Sequence, residues 1–294
     1  MDINITKGDT SKRLSDIGVN AKDFVVSSIE IEVDKDKLEG RDGYRDNGAT
    51  FGERTIVVPF YFEAHDLLDV PLLRDDLFRL VLDKRPFYIQ EMRRAHRQSY
   101  PFVRPDEPAP AIVDNHELFQ KRYKVRLANV FEIEQMLNFG EGELVFVTVD
   151  SPFAESVGTT QSELTFPAEA WQIGQGLMFD ECKYIHSTKF FSIYNAGDIT
   201  LDPIDYPMTI GYFGPSNNLE IYNETTGDVW KYTGSSTEGE MITLEGVRSL
   251  KNGDSIFPDT NMKLITLAPG WNDFALSGTT GEFLISFDHR FYYY

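Results

Sequence analysis

Gly40-Arg41-Asp42-Gly43-Tyr44 and, ten residues further on, Arg54-Thr55-Ile56-Val57-Val58-Pro59-Phe60-Tyr61-Phe62 decide how this chain reads. A charged, glycine-bracketed loop opens onto a long apolar strand. Gly40 and Gly43 allow backbone angles closed to other residues, so the loop can turn sharply or lie against a neighbour. It holds no reactive constellation, which directs the reading away from an enzyme and toward an assembly part.

Upstream, Phe24–Val33 ends in strict alternation, the period of a half-buried strand. Residues 34–53 read as a polar loop and Thr55–Glu63 as the next strand. Pro59 implies an edge or a bulge there, because proline cannot donate to a ladder. Asp69 precedes Pro71, a residue suited to a first helical turn. Leu73, Leu77, Leu80 and Val81 then form one apolar stripe, and Lys84-Arg85-Pro86 closes the helix. Phe87–Gln90, Tyr123–Val130 and Gly142–Val149 read as strands. Between them, Arg93–Glu117 carries Pro101, Pro105, Pro108 and Pro110 with Arg93, Arg94, Arg97 and Arg104. That is too rich in proline for a helix and reads as an extended arm. The arm lies in a basic segment, Lys84–Arg126, of an otherwise acidic chain and suits an acidic partner surface, including another copy.

Ser151-Pro152-Phe153 and the Ser/Thr/Gly-rich loop after it mark a boundary, giving domains 1–152 and 153–294. The second is β throughout: short strands at 190–194, 208–213, 219–223, 229–232, 241–244, 263–267 and 282–287. Asn195-Ala196-Gly197, Thr226-Gly227-Asp228, Asn252-Gly253 and Pro269-Gly270 punctuate them. Short strands at near-regular spacing indicate a β-sandwich or jelly roll.

The 294 residues carry a net charge of -19. Such a balance argues against gripping nucleic acid by its phosphates. No apolar run approaches the ~20 residues that span a bilayer, and the first residues lack a signal-peptide pattern. Cys182 is the single cysteine, so neither a disulfide framework nor a cysteine-based zinc site is expected. The five histidines include no helical metal pair, and the chain has neither a phosphate-binding loop nor a nucleophile elbow. Asp34, Asp36 and Asp42 faintly suggest calcium, but Leu38 and Glu39 break the EF-hand pattern. No metal, cofactor or catalytic residue is expected. Trp230 and Trp271 are candidates for stacking on sugar rings, against the alternative that such rings fill the core.

Taken in order, the Gly40–Gly43 loop, the Arg54–Phe62 strand, the helix and the Phe87–Gln90 strand resemble the N-terminal domain of siphophage distal tail proteins. Phe191–Gly197, Ile221–Gly227 and Leu267–Asn272 are similar to that family's later strands and turns, above all in phages of staphylococci and related Gram-positive bacteria. The resemblance implies a mainly β fold. An N-terminal β-sandwich with one α-helix and an extended hairpin or arm would build a ring, and a galectin-like C-terminal β-sandwich would face outward. It implies a structural virion protein without catalysis, placed at the distal end of the tail. The chain would form a homo-hexamer joining the tail tube protein to a tail-associated lysin or hub protein and to receptor-binding proteins or fibres. Genomic DNA would pass through its lumen unbound, an acidic lining repelling the phosphates, and no membrane would be engaged. Gly40, Arg41, Asp42, Gly43, Arg93, Arg94, Arg97 and Arg104 are then candidates for subunit or partner contacts.

The alternative is a free carbohydrate-binding protein using its second domain as a lectin. A glycan hydrolase would need two carboxylates ~5–10 Å apart, and no local pattern nominates a pair.

Overall fold

The computed structural model describes residues 1–40, 42–94, 116–118, 121–162 and 182–294. It falls into two units, Met1–Ala154 and Glu155–Tyr294. The first runs β1 (Asp2–Lys7), β2 (Thr10–Arg13), β3 (Val19–Ala21), β4 (Val25–Val26), β5 (Ile31–Asp36), β6 (Arg45–Phe51), β7 (Thr55–Glu63), α1 (Val70–Val81), β8 (Phe87–Arg94), β9 (His116–Leu118), β10 (Lys121–Leu127), β11 (Glu134–Met136) and β12 (Phe139–Thr148).

β7 is the spine of this unit. Ile56, Val58, Phe60 and Phe62 point inward and are fully buried, as a period of two requires. β12 pairs with β7 along its whole length, and the sheet follows the order β2-β1-β8-β10-β12-β7-β3. Gly140 and Gly142 of β12 stand opposite Phe62 and Phe60. A Cβ at Gly140 would lie 2.3 Å from the Phe62 ring, and one at Gly142 2.7 Å from that of Phe60. The glycines therefore make room for aromatic rings folded across the strand.

Pro59 sits inside the sheet rather than at an edge. Its carbonyl faces β3 and β4 and accepts the Lys22 amide at 2.7 Å. β3 covers Phe60–Phe62 and β4 covers Ile56–Val57. The missing N–H thus falls where one neighbouring strand has ended and the next has not begun, and no ladder bond is lost.

The helix spans Val70–Val81 with Pro71 in its first turn. Val70, Leu77, Leu80 and Val81 are buried and Leu73 packs beside them. They share one core with Ile3, Ile5, Phe60, Phe87 and Phe146. Asp69 makes no side-chain cap; its backbone carbonyl accepts the Leu73 amide. At the other end Lys7 Nζ donates to the carbonyls of Arg79 (3.4 Å) and Leu82 (3.1 Å). This satisfies acceptors that the helix leaves open.

Phe24–Val33 is not one strand. β4 ends at Val26, and β5 begins at Ile31 as half of a separate two-stranded hairpin with β6. β6 lies inside the stretch expected to be loop. Its sequence, Arg45-Asp46-Asn47-Gly48-Ala49-Thr50-Phe51, is too polar to alternate, and backbone pairing with β5 alone defines it.

The second unit is two antiparallel sheets. One has the order Ile185–His186, Leu284–His289, Met208–Phe213, Met241–Glu245, Arg248–Lys251 and Asp254–Ser255; the other runs Phe190–Asn195, Gly270–Thr279, Ser216–Asn223 and Asp228–Lys231. Phe191 and Phe274 of the second sheet meet Phe287 of the first, with ring centroids 5.9 and 5.0 Å from it. Leu267 forms only an isolated bridge with Leu201, so 263–267 is not the strand expected. The turns punctuating this unit are tied from inside. Asn195, Asn223 and Asn272 are buried. Asn272 accepts the Ala268 amide and donates to the carbonyls of Ala268 and Gly270. Asn223 donates to the Thr266 carbonyl and to Asn272 Oδ1.

Candidate assembly surfaces

Every residue of β5 and β6 is exposed. The register pairs Ile31 with Phe51 and Val33 with Ala49, and, alternating with them, Glu32 with Thr50 and Asp34 with Gly48. Directly paired residues share a face. One face of the hairpin is therefore apolar and the other carries carboxylates. Ile31 is 60% exposed and Val33 50%. Phe51, at the base, meets the ring of Phe153 edge-on at 5.8 Å. A one-residue shift between Asp34 and Lys35 adds a bulge. Beyond it Lys35 lies over the Tyr44 ring, 5.3 Å from its centroid.

The opening loop is the tip of this hairpin. Gly40 (φ 77°) and Gly43 (φ 85°) take left-handed backbone angles, with open space where a side chain would be. The freedom of these glycines therefore serves the turn and not a close approach. Asp42 is exposed, and Arg41 lies outside the described residues. Alternation marked Ile31 and Val33 in the sequence but implied that they were half buried. That they and Phe51 are an exposed apolar face follows only from the hairpin standing apart from the sheet.

The arm's two ends are held together: β8 and β9 pair Met92 with Leu118, Arg93 with Glu117 and Arg94 with His116. Arg97 and Arg104 lie outside the described residues. Arg93 is already engaged within its own chain, bonded to Glu91 and 3.9 Å from Asp23.

The two tryptophans separate. Trp230 is 1% exposed, and its Nε1 donates to Ser249 Oγ at 3.2 Å. It is a core residue and offers no face to a sugar, which corrects that expectation: the inward position on its strand decides it. Trp271 is 40% exposed and lies against Tyr194, ring centroids 4.9 Å apart. By register, Phe190 and Tyr222 share the outer sheet face with it.

No group of acidic, histidine or cysteine side chains among the described residues could hold a metal ion. Among the described residues no helix is long and apolar enough to cross a membrane. His186 lies flat on Phe191 at 4.6 Å, its Nε2 2.9 Å from the Lys183 carbonyl, and burial holds its pKa below the usual value. His289 is fully buried between Tyr184 and Phe291, and burial pushes its pKa down to about 3.

Residues 12–148 match the phage tail protein RIFT-related domain, and the rest of the chain lies outside that match. The whole fold of the chain is similar to the crystal structure of SPP1 Dit (gp 19.1), a paradigm of the hub adsorption apparatus in Gram-positive-infecting phages. The identity is 16% and the TM-score 0.63, over 98% of this chain and 99% of that one. The mainly β fold expected from the likeness to distal tail proteins is thus the fold observed. A chain of the activated phage p2 baseplate with Sr aligns over 98% of this chain and 97% of its own, at 8% identity and a TM-score of 0.41. No curated protein matches the sequence.

Proposed function

We propose that this chain is the distal tail hub of a siphophage: a hexameric ring joining the tail tube to the tail-tip and receptor-binding apparatus, open at its centre for DNA. The observation that carries the reading is the hairpin β5–β6, which displays an apolar face to solvent at the edge of a phage tail domain. A heterologous ring needs one surface of each copy to seat on a different surface of the next, and a projecting hairpin is such a surface. The likeness in fold to SPP1 Dit supports the hub position. The tube protein, a tail-associated lysin or hub protein and receptor-binding fibres are the partners this role requires. The Arg93–Glu117 arm is a further contact candidate, and the role is structural rather than catalytic. The test is the number of copies per purified tail and their place in it by electron cryo-microscopy. Six copies in one ring at the distal end is the expected result; any other copy number or position refutes the hub.

A second reading rests on the outer sheet face with Phe190, Tyr222 and Trp271, whose rings suit stacking on sugars. Glycan-array binding lost in Trp271→Ala, with the fold intact, would support it; an array without signal would remove it.

A further inference from the structure

We propose that Asn47 is a self-modification site: its side-chain amide cyclises onto the Gly48 nitrogen, and the cyclic imide opens to aspartate or isoaspartate. Asn47 and Asn252 are the two asparagines followed by glycine. A glycine leaves its own amide nitrogen open to the preceding side chain, because it carries no Cβ. The fold then treats the two sites in opposite ways. Asn47 lies in β6 at the bulge. Asp34 pairs with Gly48 and Lys35 with Asp46, so Asn47 has no residue opposite it. It is exposed. Gly48 takes a φ of 117°, with open space where a Cβ would stand. Asp46 Oδ1 accepts a hydrogen bond from the Gly48 amide at 3.0 Å. A carboxylate therefore sits on the proton that must leave before this nitrogen can attack, the position of a general base. Asn47 Nδ2 donates to Asp36 Oδ2 at 2.9 Å, which holds the amide by the nitrogen that departs.

Asn252 has the same neighbour and none of this freedom. Its Oδ1 accepts the Met241 amide at 2.9 Å, and its own amide donates to the Met241 carbonyl at 2.9 Å. Its Nδ2 lies 3.4 Å from Glu240 Oε1. Side chain and backbone are thus pinned together across the turn, and Cγ cannot swing onto the Gly253 nitrogen. No carboxylate among the described residues accepts the Gly253 amide.

The step needs only water as co-reactant. The Gly48 nitrogen bonds to Asn47 Cγ while its proton passes to Asp46. The Cγ–Nδ2 bond then breaks, and the proton held by Asp46 leaves with ammonia. Water opens the imide at one of its two carbonyls. Attack at Cγ gives aspartate. Attack at the main-chain carbonyl gives isoaspartate, with Cβ carried into the backbone. The bulge already holds one residue beyond the ladder, so the longer backbone falls where no cross-strand pair is lost. Either product adds a negative charge beside Asp36 and Asp46, and the modified fraction rises with the age of the chain.

The test is a time course on the purified full chain at neutral pH, folded in buffer and unfolded in urea. Trypsin releases the two sites in separate fragments, residues 46–54 and 252–263. Mass spectrometry and enzymatic methylation of isoaspartate follow the conversion of each. In the folded chain Asn47 is expected to convert roughly tenfold faster than Asn252, and faster than Asn47 does in urea. Equal rates at the two sites, or an Asn47 slower folded than unfolded, overturns the site, since the dipeptide alone would then explain the chemistry. Asp46→Ser keeps an oxygen able to accept the Gly48 amide but is no base. It is expected to slow Asn47 roughly tenfold in the folded chain and to leave the rate in urea unchanged. An unaltered folded rate removes Asp46 from the step and overturns the proposal.

Discussion

β5 alternates apolar and charged residues, β7 is apolar along most of its length, and their apolar side chains have opposite fates. In β7 every second side chain enters the core: Ile56, Val58, Phe60 and Phe62 are sealed by α1 and the rest of the sheet. In β5 the alternating apolar residues, Ile31 and Val33, point at water. The difference lies in the neighbours. β7 pairs with β12 on one side and with β3 and β4 on the other, whereas β5 pairs with β6 alone. Alternation specifies an extended strand; it does not say who covers it. An isolated two-stranded hairpin is marginal in water, so the hairpin's apolar face is intelligible as a surface completed by another chain.

The largest effect expected on either side of that comparison is at the centre of β7. Phe60→Ala removes a ring packed against Gly142 and edge-on to Phe131 at 6.1 Å. Gly142 has no side chain to fill the space left. The cost should be about 3–5 kcal/mol, the range for large-to-small changes in a core, read from urea unfolding of the purified chain. A loss below 1 kcal/mol would mean that β7 is not the spine described.

Much of this was legible from residues. β7, α1 and their stops follow from period and punctuation, because each is covered by its own unit and its pattern is answered locally. The hairpin's second strand was not legible. Arg45–Phe51 has no alternation, and its pairing is backbone to backbone. The tryptophans were undecidable in sequence because either face of a sandwich strand can hold a ring; only register put Trp230 in and Trp271 out. Asn195 read as a turn marker, Asn223 as the end of a strand and Asn272 only through the family resemblance, and nothing in the sequence shows that the three are buried. These polar side chains are inside while Ile31 and Val33 are outside, and hydrogen bonds replace covering neighbours as the explanation. Asn272→Ala sharpens that point. It strands the Ala268 amide and removes one of the two acceptors of Asn223. At about 1–3 kcal/mol for a buried group left unpaired, the expected loss is about 3 kcal/mol in chemical unfolding. A neutral result would show that these turns hold without their buried ties.

His289 tests the interior of the second unit through pH. Its folded pKa, about 3, lies below the unfolded value of about 6.5. Between those values the unfolded chain binds a proton that the folded chain refuses. Stability is therefore full above pH ~6.5 and falls as pH drops toward 3. By pH 5 the loss from this group should be about 2 kcal/mol. Carboxylates with lowered pKa, such as Asp228, lose their share further down. His289→Phe keeps a flat ring between Tyr184 and Phe291 and should flatten the stability curve between pH 7 and 5. An unchanged slope would mean that His289 finds a way to take up its proton.

The smallest effect on the isolated protein is expected where the comparison began. Ile31→Ser with Val33→Ser alters two exposed side chains of β5, and exposed substitutions away from special features stay within about 0.5 kcal/mol. The pairing of Glu32 with Thr50 and Asp34 with Gly48 remains available to the backbone. Unfolding should therefore be nearly unchanged, in contrast to Phe60→Ala. Incorporation into tails should collapse, because removing apolar surface from the hairpin takes away what a second copy would cover. If the double variant unfolds early but assembles normally, the hairpin's apolar face serves its own unit, and the contrast between β5 and β7 is one of degree only. If it folds and fails to assemble, apolar strand faces do two jobs, one inside the chain and one between chains.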